Sequence, residues 1–373
     1  MQAAELRLED ALNAFDIPGK IAGALRYGNG HVNDTFCVYT QVGTSDARRY
    51  ILQRINTDTF EDPDGLMENI TAVTEFIAKE AVKEGKDPLR STMKVYETKE
   101  GKPYYEDPDG GCWRLYLFVP QTYFLEEVEN KEQFYESARA FGNFQYMLND
   151  FPAESLNIPI PNFHDTRVRY ENLLKAIEKD EFDRLKNVEK EVEFVKQRED
   201  KIPYLMDLLE AGKLPLRVTH NDTKLNNVLF DICTDKAIVV IDLDTVMPGL
   251  ALNDFGDSIR FGASTAREDE QDLSKVNFDL DLYDIYTKGF LETAGKALTD
   301  KEIELLPWGA YMMTFECGIR FLTDYLEGDH YFKTSREGQN VDRTRTQFKL
   351  VEDYEANKDK MFAIVDKYKA ELM

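Results

Sequence analysis

Residues 218–261 read VTHNDTKLNNVLFDICTDKAIVVIDLDTVMPGLALNDFGDSIRF. Within them His220, Asp222 and Asn227 fall in the spacing H-x-D-x-x-x-x-N, and the apolar run Ala237 to Ile241 stops abruptly at Asp242-Leu243-Asp244. The pattern reads as a strand over 216–218, a loop, a short strand over 228–230, a turn, a strand over 237–241, and then a carboxylate. Such a loop sets one carboxylate against a neutral alcohol and keeps two oxygen donors for a hard cation such as Mg²⁺, whose ligands sit at about 2.0–2.1 Å. An Asp, an Asn and a second Asp meet that need, and the arrangement is one used in phosphoryl transfer. Asp and Asn also build ordinary turns, so the H-x-D-x-x-x-x-N spacing alone decides little. The carboxylate placed at a strand end shifts the reading from packing toward function.

The chain has 373 residues, 42% hydrophobic and 12% aromatic, enough for two folded domains with real cores. Its formal net charge of −24 leaves no supply of clustered Lys and Arg for a nucleic-acid backbone, so no nucleic-acid partner is expected. An anionic nucleotide must then be held by Mg²⁺ and local donors. Cys37, Cys112, Cys233 and Cys317 are far apart and form no C-x-x-C, which indicates neither a zinc site nor a disulfide framework. The N-terminal MQAAELRLEDALNAFDI is no signal peptide and no long apolar run occurs, so a soluble, cytoplasmic, monomeric protein without membrane contact is expected. The acidic run Arg267 to Asp272 reads as a solvated loop.

Periodicity predicts a short helix over 4–15, strands over 21–27, 35–40 and 49–55, a helix from Leu66 to Ala81, and strands over 93–96 and 113–119. Beyond Pro120 the pattern turns helical: 134–148, 165–179, one longer helix over 182–210, then 282–293, 301–325 and 343 to the end. The expectation is an α+β, two-lobed chain, with a β-rich nucleotide-binding lobe over 1–118 and a larger helical lobe over 119–373 that carries catalysis and the acceptor. Phe118 and Val119 form the hinge and join the nucleotide-binding set.

No Gly-Lys here satisfies G-x-x-x-x-G-K-[ST], so the Walker loop is excluded. The loop Tyr27-Gly28-Asn29-Gly30-His31-Val32-Asn33 is better placed: Gly28 and Gly30 let backbone N–H groups approach a phosphate, with Asn33 where a third glycine often stands. A plain hairpin turn is the competing reading. The third strand of kinase-type sheets carries a Lys that pairs with phosphate and with a helix Glu. Here the strand reads Tyr50-Ile51-Leu52-Gln53-Arg54-Ile55, and Gln53 takes the expected place, with Glu68, Asn69 or Glu75 as helix partners. Gln53 and Arg54 as simple surface residues is the alternative.

The chain resembles the N-acetylhexosamine 1-kinases, within the aminoglycoside and choline phosphotransferase superfamily. The resemblance extends over nearly the whole chain and is carried by Tyr27 to Asn33, Tyr50-Ile51-Leu52-Gln53, Phe163-His164-Asp165-Thr166, THNDTKLNN, IDLDT, FGDSIRFGAST and Glu316 to Asp329. It implies a protein-kinase-like fold, ATP and Mg²⁺, and transfer of the γ-phosphoryl group to the anomeric hydroxyl of a small-molecule sugar, N-acetylglucosamine or N-acetylgalactosamine. Position by position it implies Asp222 as base, Asn227 and Asp242 as Mg²⁺ ligands, and His31, Arg320 and Tyr331 as sugar contacts. The missing strand Lys is shared with that family.

Read from the residues alone, His31 also fits as a cap of the glycine turn, His220 as a structural loop residue, and His164 as part of a helix start. Arg320, between Ile319 and Phe321 in an apolar helix segment, must be paired or bind a ligand. Two other functions stay open: a kinase for another small alcohol, such as a different hexose or an amino alcohol, and a nucleotide-sensing pseudokinase, for which the missing Lys would speak.

Overall fold

The computed structural model describes residues 2–28 and 33–372. The described strands are β1 (Ile21–Arg26), β2 (Asp34–Thr40), β3 (Arg48–Arg54), β4 (Val95–Tyr96), β5 (Tyr105–Glu106), β6 (Cys112–Leu117), β7 (Thr122–Tyr123), β8 (Arg217–Thr219), β9 (Val228–Asp231), β10 (Ala237–Val240) and β11 (Met247–Gly249). The helices are α1 (Gln2–Ala14), α2 (Pro63–Lys83), α3 (Lys131–Met147), α4 (Thr166–Lys179), α5 (Glu189–Lys196), α6 (Tyr204–Glu210), α7 (Ala251–Gly262), α8 (Leu280–Ala294), α9 (Asp300–Glu304), α10 (Leu306–Leu326) and α11 (Gln339–Leu372). An antiparallel sheet near the N-terminus followed by mostly helical chain is the expected α+β class.

Contacts divide the chain into two compact units. The first comprises Met1–Tyr123, Asp150–Ile160 and Leu229–Met247. The second comprises Phe124–Asn149, Pro161–Val228 and Pro248–Met373. A single cut between 118 and 119 does not anticipate the two later segments that rejoin the first unit. The second of these segments returns because β9 pairs with β7 and β10 with β9.

In the first unit a 6-stranded sheet runs in the order β1-β2-β3-β6-β4, with β5 also paired to β6. Alternation along β3 buries Tyr50 and Leu52, which join Ala11, Leu12 and Phe15 from the α1 end of the chain, Val38 of β2, and Trp113 and Leu115 of β6 in one core. The antiparallel register places Thr35 opposite Gln53 and Gln53 opposite Arg114, a polar row across three strands. Pro63 opens α2, and the Asp62 side chain accepts the Gly65 amide at 3.0 Å as its cap.

In the second unit α3 packs on α8, and α10 on α4, α7 and α11. Three expectations change here. The charged stretch 182–210 is not one helix but α5 and α6, with one 3₁₀ turn ahead of α5 and another between the two, and Pro203, which has no N–H for a continuing helix, stands just ahead of α6. The segment 301–325 splits into α9 and α10 at Leu305, just ahead of Pro307. The acidic run is half-buried in part: Glu268 pairs with Arg260 at 2.6 Å, and Asp269 accepts from Gln339 at 2.9 Å. A further helix, α7, is absent from the sequence expectation; its polar residues Asn253, Asp254, Asp257 and Arg260 are buried along with its apolar ones. The four cysteines are free, and no helix among the described residues is long and apolar enough to cross a membrane.

Candidate active site

The loop after β8 lies wholly in the second unit. Asn221 is left-handed at φ 64°, a conformation that Asn tolerates better than most residues and that turns the chain sharply before Asp222. The buried carboxylate of Asp254 on α7 accepts the backbone N–H of His220 at 3.0 Å and of Asn221 at 2.8 Å, together with the Gln145 amide at 2.7 Å. Asp257, one turn on, accepts the Thr223 N–H at 2.9 Å, and Ser258 donates to the Thr223 carbonyl at 2.8 Å. The missed helix α7 is therefore what holds the loop. Burial raises the Asp254 pKa, against the downward pull of His220 and its hydrogen-bond donors.

Asp222 projects from this pinned loop with its side chain 30% exposed. Asn227 donates its Nδ2 to the Asp222 carboxylate at 3.0 Å and to its carbonyl at 2.8 Å, so the two residues of the motif meet. Lys224 places its Nζ 2.7 Å from the carboxylate. Burial pushes the Asp222 pKa up, but the Lys224 ammonium outweighs it, with His220 and Asn227 adding to the effect, and the net position is below the ordinary carboxylate range. His220 is itself fully buried between the rings of Phe141 and Phe144, and its Nδ1 accepts the Asp222 N–H at 3.2 Å. It serves the loop as structure.

Arg320 sits on α10 in the same unit, ringed by Phe163 at 5.0 Å, Phe332 at 5.5 Å and Tyr331 at 5.7 Å from its guanidinium carbon. Its one polar contact among the described residues is a long 3.4 Å bond to the Tyr331 hydroxyl, and no carboxylate there pairs with it. The sequence dilemma of a charge on an apolar helix is thus met by aromatic faces, which hold the cation and leave its N–H donors for a ligand. Arg169 lies close enough that burial and the Arg320 charge both lower its pKa.

In the first unit the polar row continues into a network. Gln53 accepts two bonds from Arg114, at 3.0 and 2.9 Å, and donates to Thr35 at 3.1 Å. Arg114 pairs with Asp244 at 2.5 Å, and Asp244 accepts from Asn33 at 2.7 Å. The helix partners expected for Gln53 are not used: Asn69 of α2 donates instead to the carbonyls of Asn157 and Val246. The cation missing from β3 is present one strand over, as Arg114, buried to 1% exposure. The Asp244 and Asp242 carboxylates, with Tyr116, raise its pKa in spite of its burial. Its signal in the sequence was a charge at an inward position of the strand Trp113 to Val119.

Asp242 stands at the end of β10 in a left-handed conformation, φ 61° and ψ 61°. For a non-glycine residue that is a costly state, the kind that persists where surrounding structure holds a side chain for use. Gly28 has φ +76° with open space where a Cβ would stand. Phe118 packs its ring on Tyr27 and under the Arg49 guanidinium, and Val119 is buried, its carbonyl accepting from Thr122. Gly30 and His31 lie outside the described residues.

The phosphotransferase enzyme family model, APH, matches residues 25–286. Among solved structures, the chain is similar to a choline kinase from Cryptosporidium parvum Iowa II (TM-score 0.60, 13% identity, covering 98% of this chain and 99% of that one). It is also similar to a microcompartment-associated aminopropanol kinase (TM-score 0.57, 14% identity, 96% and 98% covered). A third is the spectinomycin phosphotransferase APH(9)-Ia in complex with ADP and spectinomycin (TM-score 0.55, 14% identity, 95% and 98% covered). At these identities the likeness is one of fold, the protein-kinase-like fold. A family match that takes in the sheet from β2 onward, the Asp222 loop, α7 and most of α8 makes this chain a member of the APH phosphotransferase enzyme family.

Proposed function

We propose that this protein is an ATP- and Mg²⁺-dependent kinase that transfers the γ-phosphoryl group to the anomeric hydroxyl of N-acetylglucosamine or N-acetylgalactosamine, forming the sugar 1-phosphate. The observation that carries the reading is Asp222: a carboxylate on a loop pinned by α7, kept ionised by Lys224 and oriented by Asn227. In its assigned role Asp222 accepts the proton of the sugar hydroxyl as the new O–P bond forms and the bond to ADP breaks. An anomeric hydroxyl is more acidic than an ordinary alcohol, which suits a base of depressed pKa.

Mg²⁺, when bound, would supply charge neutralisation on the transferring phosphate; Asn227 in the second unit and Asp242 in the first are each assigned as a ligand by the resemblance. Their donor chemistry fits: the Asn227 amide nitrogen is committed to Asp222, which turns the amide oxygen the other way, and Asp242 is a carboxylate. Gly28 and Gly30 are assigned to the phosphates, and Phe118 and Val119 to the nucleotide. Structures of the same fold hold ADP in the spectinomycin phosphotransferase and GDP in an aminoglycoside 2'-phosphotransferase, which supports a purine nucleotide here. Asn33 and Gln53 are engaged with Asp244 and Arg114 and act through that network.

Arg320, with Tyr331 and His31, is assigned to the sugar. A guanidinium without a carboxylate partner suits a neutral polyol that offers oxygen acceptors, and it repels the ammonium of an amino alcohol. The likeness to choline and aminopropanol kinases is one of fold and does not reach the acceptor. The deciding experiment is ADP release measured across N-acetylhexosamines, other hexoses and amino alcohols, with the phosphate position of the product read by ³¹P and ¹³C NMR. Turnover confined to amino alcohols overturns the acceptor; ATP binding with no turnover of any acceptor favours the pseudokinase.

A further inference from the structure

Glu316, Arg320 and Asp324 follow one another at intervals of four on α10 and share one face of a helix that is otherwise mostly apolar and buried. Each is tied to a different part of the second unit. Glu316, 2% exposed, accepts from Thr166 at 2.9 Å and meets His164 Nδ1 at 2.9 Å. The other ring nitrogen of His164 lies 3.3 Å from the carbonyl oxygen of Asn221, the residue before Asp222. A buried chain therefore runs from α10 through one imidazole to the backbone of the Asp222 loop.

At the other end of the stripe Asp324, 4% exposed, accepts four N–H groups. Its Oδ1 takes the backbone N–H of His330 at 2.9 Å and of Tyr331 at 2.7 Å. Its Oδ2 takes that of Phe332 at 3.0 Å and the Asn340 side chain at 2.8 Å. This one carboxylate folds the loop that brings Tyr331 and Phe332 against Arg320. Hydrogen bonds to a buried carboxylate are among the stronger ones, and a buried donor left unpaired loses its partner outright, so the contacts of Glu316 and Asp324 can set a geometry.

We propose that Glu316 and Asp324 are positioning residues: from one face of α10 they hold the Asp222 loop and the Tyr331 loop at a fixed spacing on either side of Arg320. The proposal rests on the reading of Arg320 and Tyr331 as acceptor contacts, and it divides the labour between the two ends. The Asp324 end shapes acceptor binding, whereas the Glu316–His164 end aligns the base.

The test is steady-state kinetics of Asp324→Asn, His164→Ala, Glu316→Ala and Glu316→Gln on the full chain, alongside amide hydrogen exchange. Asp324→Asn is expected to raise the acceptor KM about tenfold or more with kcat and nucleotide KM little changed, the cost of one mispaired buried donor. Its exchange protection is lost over 330–332 and retained over 221–223. His164→Ala and Glu316→Ala are expected to lower kcat about tenfold with acceptor KM little changed, since only alignment is lost. Their protection is lowered over 221–223 instead, without being abolished because Asp254 and Asp257 still accept the Asn221 and Thr223 amides, and Glu316→Gln, which keeps an oxygen for His164, recovers most of the kcat. The same kinetic pattern from both ends, or exchange unchanged at the predicted segments, overturns the proposal. If the wild type turns over some acceptor other than an N-acetylhexosamine, the functional reading fails by itself and the split is read with that acceptor. If it turns over none, the exchange pattern decides.

Discussion

Asp222 and Lys224 form the ion pair on which the proposed chemistry turns. Asp222→Asn preserves size and removes the proposed proton acceptor, so kcat is expected to fall about 10²–10⁴-fold with nucleotide affinity retained, measured by turnover and by nucleotide titration. A base must be ionised to work, so activity is present above its pKa and lost as pH falls through it. The Asp222 pKa is depressed, chiefly by Lys224 acting against burial, and the acid limb of the kcat profile therefore lies below the ordinary carboxylate range. Lys224→Ala leaves burial with less to oppose it, and a pH–rate profile is expected to show that limb moved to higher pH. Gln53 belongs to a different network. Gln53→Lys removes the acceptor of two Arg114 bonds and sets a second cation beside a buried one, so we expect a destabilisation of about 2–4 kcal/mol in urea melts, from one unpaired buried charge-bearing donor plus like-charge repulsion.

The element that holds the Asp222 loop is α7, which lies against α10 at unusually close range. A Cβ on Gly256 would stand 2.2 Å from the Gly309 carbonyl oxygen, and one on Gly309 would stand 2.4 Å from that of Leu252. Both positions are glycine because backbone meets backbone there, not because of any turn. Gly256→Ala is expected to force the two helices apart at a cost of about 1–3 kcal/mol, the usual range for overpacking. Because Asp254 and Asp257 lie on α7 and hold the Asp222 loop, kcat is expected to fall with stability, checked by denaturant unfolding and turnover of the same sample.

Over the whole molecule the net charge of −24 makes self-repulsion a term in folding. Salt at 0.15 M screens charges beyond about 8 Å and leaves buried pairs such as Arg114 and Asp244 largely intact, so Tm is expected to rise from low salt to that concentration in differential scanning calorimetry. A flat or falling Tm would mean that surface ion pairs outweigh the repulsion. The amino-acid order by itself determined the α+β class, most strands of the N-terminal sheet, and the meeting of Asp222 with Asn227, since these depend on local period, turn residues and spacing along five positions. Local pattern also placed Asp242 at a strand end. Tertiary structure alone decided that Arg114 meets Gln53 and Asp244, because a strand's partners are set by register across the sheet and not by its own sequence. It alone showed α7, whose polar face is turned inward to the Asp222 loop and not out to water, and the split of 182–210 into two helices, where charge masked Pro203. The ties of Glu316 and Asp324 reach His164 and the 330–332 loop through packing of α10, and no periodicity within one element records which neighbour its polar stripe will face.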